Sequence, residues 1–161
     1  MYLNLLKSLK IPIIILSLFI ISNILFLNEK DFGKEKKITF LDKIYYSFIS
    51  FTTVGFGDFY PVTKKGRIIS IIQNSVMVFL PLFLMKDMKK IISNLVILCI
   101  AFGLHSFYIS KENNEFNIIK KLYHTFIVHT TIGYGDISPS SSIGKFINIA
   151  HPLSVYILNS I

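Results

Sequence analysis

Two short segments of the 161-residue chain, TTVGFGD at 52–58 and TTIGYGD at 130–136, hold the residue types whose spacing could do chemistry. The chemistry on offer is that of backbone carbonyls rather than of acids, bases or nucleophiles. Gly55 and Gly57 in the first segment, and Gly133 and Gly135 in the second, reach positive φ at little steric cost. A backbone that takes positive φ at alternate residues turns successive carbonyl oxygens toward one axis, and rings of such oxygens can replace the water around a cation. Thr53 and Thr131 can add hydroxyl oxygens at the inner end. Val54 and Ile132, with Phe56 and Tyr134, would point away from the axis and pack each loop from behind. Asp58 and Asp136 follow at the outer mouth, where they could hydrogen-bond behind the loop or concentrate cations.

The elements that must position these loops come in duplicate. Shifting the chain by 78 residues lays 43–66 on 121–144 with eleven of 24 positions identical, among them Thr52, Thr53, Gly55, Gly57, Asp58 and Pro61 with their partners. Apolar stretches at about 11–27, 66–85, 91–109 and 144–161 flank the loops. Each covers most of a bilayer's hydrocarbon core at about 1.5 Å per residue. Pro12 is expected in the first turn of the first span, where a missing N–H costs least. That stretch exceeds most signal-peptide apolar regions and no A-x-A site follows it, so it reads as a span. Segments 43–52 and 121–130 are too short to cross and read as re-entrant helices. Two spans separate the loops, so both loops lie on one side of the membrane. Irregular backbone at membrane depth is tolerated only where it is buried in protein or lines water. The expected fold is therefore all-α and membrane-embedded. It has four transmembrane helices and two re-entrant pore helix–loop units, in repeats 1–85 and 86–161.

Composition agrees and excludes other classes. Hydrophobic residues make up 52% and charged residues 16%, the latter falling between apolar blocks. Net charge is +8, from sixteen Lys and the lone Arg67 against nine acids. Those Lys flank apolar runs and form no Arg-rich phosphate-gripping face, so a membrane surface is the expected partner and nucleic acid is not. Cys99 is alone, which excludes an intramolecular disulfide and a CxxC metal site. A dinucleotide-binding loop would need a third glycine and an α/β pattern. Neither a Ser-His-Asp, an HExxH nor a paired-carboxylate constellation is present, so no enzyme and no cofactor are expected.

The loops TVGFG (53–57) and TIGYG (131–135) resemble the selectivity filters of potassium channels. The two-loop, four-span arrangement resembles the two-pore-domain class, and 134–151 is similar to miniature viral potassium channels. The resemblance implies a potassium-selective pore with K+ as the permeant ion and only metal. Four loops ring an ion and each chain supplies two, so both resemblance and geometry imply a homodimer with pseudo-fourfold symmetry. The resemblance also puts the filters outside and both termini in the cytoplasm. A count of basic residues opposes this, with five expected inside (Lys7, Lys10, Lys86, Lys89, Lys90) and twelve outside, many interleaved with acids.

The pattern departs from that class in several places. Phe56 lacks the hydroxyl of Tyr134, and with no Trp an aromatic cuff must come from Tyr45, Tyr46, Phe48, Tyr123 or Phe126. Residues 28–42 are too few for an extracellular cap. No span carries a row of basic residues for voltage sensing. The last span is expected to run to Ile161 without a tail. The inner spans match polar residues, Gln73 with His151 and Ser70 with Asn148. Ser70, Asn74, Met77 and Pro81 share one helical face, as do Asn148, Pro152, Val155 and Asn159. Ser70, Asn74, Met77, Asn148 and Val155 are candidate cavity-lining residues, with helix packing as the alternative. His129 and His151 read as buried neutral histidines, with pH sensing as the alternative. The competing functions are a weakly selective cation pore, from the Phe56/Tyr134 mismatch, and a non-conducting subunit that modulates another channel.

Overall fold

The computed structural model describes residues 2–33, 38–108 and 117–160, with residues 2–9 and 11 as backbone alone. The charged stretches at 34–37 and 109–116 lie outside the described residues. Among the described residues six α-helices follow one another: α1 (Tyr2–Phe26), α2 (Phe40–Phe51), α3 (Lys64–Leu84), α4 (Met88–Tyr108), α5 (Ile118–His129) and α6 (Ser142–Ser160). Among the described residues there is no sheet, only one antiparallel bridge, Phe32 to Pro61. Helices α3 and α4 are each long and apolar enough to cross a membrane, and α1 contributes a shorter apolar stretch, Pro12–Phe26.

Local chemistry starts and stops each element. Thr39 caps α2 through a capping box, its Oγ1 accepting from the Asp42 N–H at 3.2 Å while the Asp42 carboxylate accepts from the Thr39 N–H at 2.8 Å. Asn117 caps α5 by accepting from the Lys120 N–H at 2.9 Å. Thr63 begins α3 by accepting from the Gly66 N–H, and its repeat partner Ser141 begins α6 by accepting from the Gly144 N–H. The two short helices end alike. Thr52 and Thr130 turn both backbone N–H and side-chain hydroxyl onto the carbonyls of Phe48 and Phe126. The backbone then leaves the helix for the glycine-rich loop.

One placement differs from expectation. Helix α1 begins at Tyr2, so Pro12 lies inside it rather than in its first turn. The leucine- and lysine-rich stretch before the proline continues the helix, at the cost of one backbone hydrogen bond.

Within a chain, α1 packs on α2 in the first repeat, and α4 packs on α5 and α6 in the second. Helix α3 then crosses between repeats to pack on α5. The buried core gathers where the repeats meet: Phe32, Tyr46 and Phe59 from the first, Tyr123, Ile127, Ile132 and Tyr134 from the second. Buried amides tie the helices of the first repeat together. Asn23 of α1 donates to Ser47 of α2 at 2.8 Å and accepts from Gln73 of α3 at 2.9 Å. The segment after α1 clamps the chain after the first loop. The Val62 N–H donates to the Asp31 carbonyl, the Gly33 N–H to the Tyr60 carbonyl, and the Thr63 hydroxyl to the buried Asp31 carboxylate at 2.5 Å.

Between α3 and α4 the turn is a Schellman closure. The Lys86 N–H bonds to the Phe83 carbonyl and the Asp87 N–H to the Leu82 carbonyl, each at 3.0 Å. Lys86 takes the left-handed conformation at φ 57°, a position glycine fills without strain. Lys86→Gly is expected to raise stability by about 0.5–1 kcal/mol. Thermal unfolding in detergent checks this, and a lower midpoint contradicts it.

Candidate functional site

The two glycine-rich loops lie side by side near the centre of the molecule, each hung from the C-terminal end of a short helix. The Thr53 N–H bonds to the Ser50 carbonyl and the Thr131 N–H to the Val128 carbonyl. In both loops positive φ falls on alternate residues: Thr53 57°, Gly55 49° and Gly57 79°, then Thr131 61°, Gly133 55° and Gly135 78°. Glycine carries four of these six positions at little cost. At Thr53 and Thr131 a side chain is held left-handed, at about 1–2 kcal/mol each.

Glycine is required at the first loop for a second reason. A Cβ on Gly55 would stand 2.1 Å from the Ile132 carbonyl oxygen, and one on Gly57 2.2 Å from that of Tyr134. The carbonyls of the second loop thus pass directly beside the glycines of the first. Gly133 and Gly135 have nothing within 4 Å on the corresponding side. Side chains divide the same way. Ile132 and Tyr134 are buried, whereas Val54 is 49% and Phe56 71% exposed.

The second loop is buttressed by the first repeat. The Tyr134 hydroxyl meets the Ser50 hydroxyl at 2.5 Å, and its ring stacks on Tyr46 with centroids 6.0 Å apart. Arg67, at the start of α3, reaches over to Asp136 at 4.0 Å. Its guanidinium lies over the Tyr123 ring at 5.3 Å, and its Nε donates to the Pro61 carbonyl. Burial pushes the Asp136 carboxyl up, and the neighbouring guanidinium opposes that shift. Asp58 is exposed and accepts from the Tyr45 hydroxyl at 3.0 Å. Three of the aromatic-cuff candidates, Tyr45, Tyr46 and Tyr123, thus stand around the loops; Phe48 is exposed.

Below the loops a cavity of about 490 Å³ is lined by Met77, Pro81, Thr131, Pro152, Val155 and Asn159, among others. Of the candidate lining residues, Met77 and Val155 reach it. Ser70 and Asn74 are buried and bonded to each other at 3.4 Å, and Asn148 accepts from His124 at 3.3 Å. Those three do not line that cavity within one chain.

The feature least visible in the sequence is a buried chain of imidazoles. The Asn94 amide donates to the Lys90 carbonyl at 2.8 Å, so its oxygen faces His129 Nε2 at 3.2 Å. His129 Nε2 therefore donates, and its Nδ1 accepts from His151 Nε2 at 3.1 Å; His151 Nδ1 then accepts from His105 Nε2 at 3.2 Å. One amide orientation sets three neutral tautomers. Neither His105 nor Asn94 carries a motif. The available signal is their spacing of eleven residues, three helical turns, on one face of an apolar helix.

Against known proteins, one family model, described as an ion channel, matches the chain twice, over residues 13–94 and 95–159. No curated protein and no solved structure matches.

His129 corresponds to Phe51, which packs edge-on against Phe19 in the first repeat at 5.9 Å. His129→Phe would leave the Asn94 oxygen and the His151 Nε2 proton buried without a partner, each costing about 1–3 kcal/mol. A lowered thermal midpoint in detergent is expected, and an unchanged midpoint contradicts the hydrogen-bonded chain.

Proposed function

The chain belongs to this ion-channel family, and on that premise we propose that it is a potassium-selective channel subunit whose paired loops are two quarters of one filter. The family is one of channels rather than enzymes. The observation that carries the potassium reading is positive φ at residues 53, 55 and 57 and again at 131, 133 and 135. A backbone of this form aims successive carbonyls one way, and four such strands would supply rings of oxygens in place of an ion's water. The outer shell of the second loop, from Tyr134 on Ser50 to Asp136 near Arg67, holds the backbone in place so that the ring does not collapse around a smaller ion.

In this reading α1, α3, α4 and α6 cross the membrane and α2 and α5 enter partway. The two repeats are 1–85 and 86–161. The C-terminal ends of α2 and α5, where the helix dipole is negative, would face a cation below the loops. The loops open to the outside, and the α3–α4 turn with Lys86, Lys89 and Lys90 lies in the cytoplasm beside both termini. Two chains form a homodimer with four loops. The open side of Gly133 and Gly135, against the covered side of Gly55 and Gly57, supports a ring that one chain leaves half complete. Permeation is passive, and it needs no cofactor.

Current recorded from purified protein in planar bilayers tests the function. Bi-ionic reversal potentials should shift strongly in favour of potassium over sodium, as a selective carbonyl filter requires. Gly55→Ala and Gly133→Ala should each abolish the selective current. A near-zero reversal shift would make the chain a weakly selective cation pore. Absence of any barium-sensitive current would make it a non-conducting subunit. Selective conduction surviving either substitution would show that the loops do not share one pore.

A further inference from the structure

On the reading that two chains complete the ring, we propose that the second chain docks through one defined seam, in which Phe56, Asp58 and Tyr45 of one protomer meet Val128 and Lys145 of the partner subunit. The seam inside a single chain supplies the template. There the first repeat contributes Ser50, Gly55, Gly57 and Arg67, and the second contributes Ile132, Tyr134, Asp136 and Tyr123. Adding 78 to each first-repeat position gives Val128, Gly133, Gly135 and Lys145. Subtracting 78 from each second-repeat position gives Val54, Phe56, Asp58 and Tyr45.

Of the first set, Ser50, Gly55, Arg67, Tyr123, Ile132 and Tyr134 are buried where the two repeats meet, and Gly57 and Asp136 are half-buried. Of the counterparts, Val54, Phe56, Asp58, Gly133, Gly135 and Lys145 are exposed, and Tyr45 and Val128 are half-buried. At helix level, α3 packs on α5 within the chain, and the counterpart is α6 of one chain on α2 of the other. Helix α2 has no comparable partner in α6 of its own chain. Ile71, half-buried against the core, corresponds to Ile149, which is 65% exposed. Lipid would cover Ile149 equally well. It would not suit Asp58 and Lys145, which carry opposite charges at the positions where Asp136 and Arg67 pair inside the chain.

The chemistry of the two seams matches pair by pair. Inside the chain a tyrosine hydroxyl meets a serine hydroxyl, Tyr134 on Ser50. Across the inferred seam both hydroxyls are missing, with Phe56 facing Val128, so neither side leaves a buried polar group unpaired. The absence of a phenol at Phe56 is thereby a property of its neighbour. Arg67 over Tyr123 becomes Lys145 over Tyr45, and the Tyr45 hydroxyl already holds Asp58 in place. A twofold axis repeats the seam, giving two identical copies per dimer and a closed ring.

Charge exchange in the full-length chain tests the seam, with the dimer fraction measured by native mass spectrometry from detergent over a dilution series. Lys145→Asp should weaken the dimer by about tenfold or more, and the Asp58→Lys/Lys145→Asp double variant should recover most of that loss. A double variant no tighter than the single one overturns the pairing. Because Asp58 lies beside the loop and its substitution could unfold it, a second arm uses Asp58→Cys/Lys145→Cys in a Cys99→Ser background with a short bifunctional thiol reagent. Linked two-chain species from the pair, and none from either cysteine alone, are expected. A wild-type dimer that the cysteine pair fails to link overturns the seam and leaves the two-chain ring standing. A wild-type protein that is monomeric or tetrameric overturns the ring itself.

Discussion

The rest of the molecule depends on a backbone constraint, positive φ at every second residue of two adjacent loops. Six residues hold it, and two of them are threonines that would not adopt it unaided. Surrounding structure must therefore impose it. The short helices do so from one end, through the carbonyls of Ser50 and Val128 and the threonine caps at 52 and 130. Packing does so from behind, where Tyr134 is fixed between Tyr46 and Ser50. The loops then constrain each other, since the Ile132 and Tyr134 carbonyls occupy the space that a Cβ would need at Gly55 and Gly57.

The two repeats perform this support with different chemistry. In the first, α1, α2 and α3 are joined by Asn23, Ser47 and Gln73, groups that keep one protonation state at any ordinary pH. In the second, the matching helices are joined by His105, His151 and His129, ending on Asn94. A hydrogen-bonded imidazole chain offers one donor and one acceptor per ring, so it can cross the packing between three helices, and only its far end, His105 Nδ1, stays buried without a partner. The sequence identity of the repeats is concentrated in the loops and their helix ends. It fades in the parts that only have to pack.

How much of this was legible in the sequence follows from the range of each interaction. The loops, their glycines and the short helices before them were readable because their conformational demands are local and their residues occur twice. The caps Thr63 and Ser141 fall in the same 78-residue register. The Arg67 contact with Asp136 was not readable, because it joins residues 69 apart on different repeats and no periodic signal marks it. Ser70 and Asn74 shared a face with Met77, and the pattern could not say which part of that face met a cavity and which met a neighbouring helix. Pro12 misled for a local reason, since a proline at the edge of an apolar run marks a helix start only where the residues before it cannot continue the helix.

The most direct test of the central claim, that four loops from two chains form one column of carbonyl oxygens, is to locate the ion. Anomalous scattering from crystals of the purified protein in thallium(I), a potassium mimic, does this. Peaks stacked on a single axis, ringed by main-chain oxygens of residues 53–57 and 131–135 from two chains, are the predicted result. Thallium bound elsewhere, or held by the Asp58 and Asp136 carboxylates with the loops empty, would contradict it.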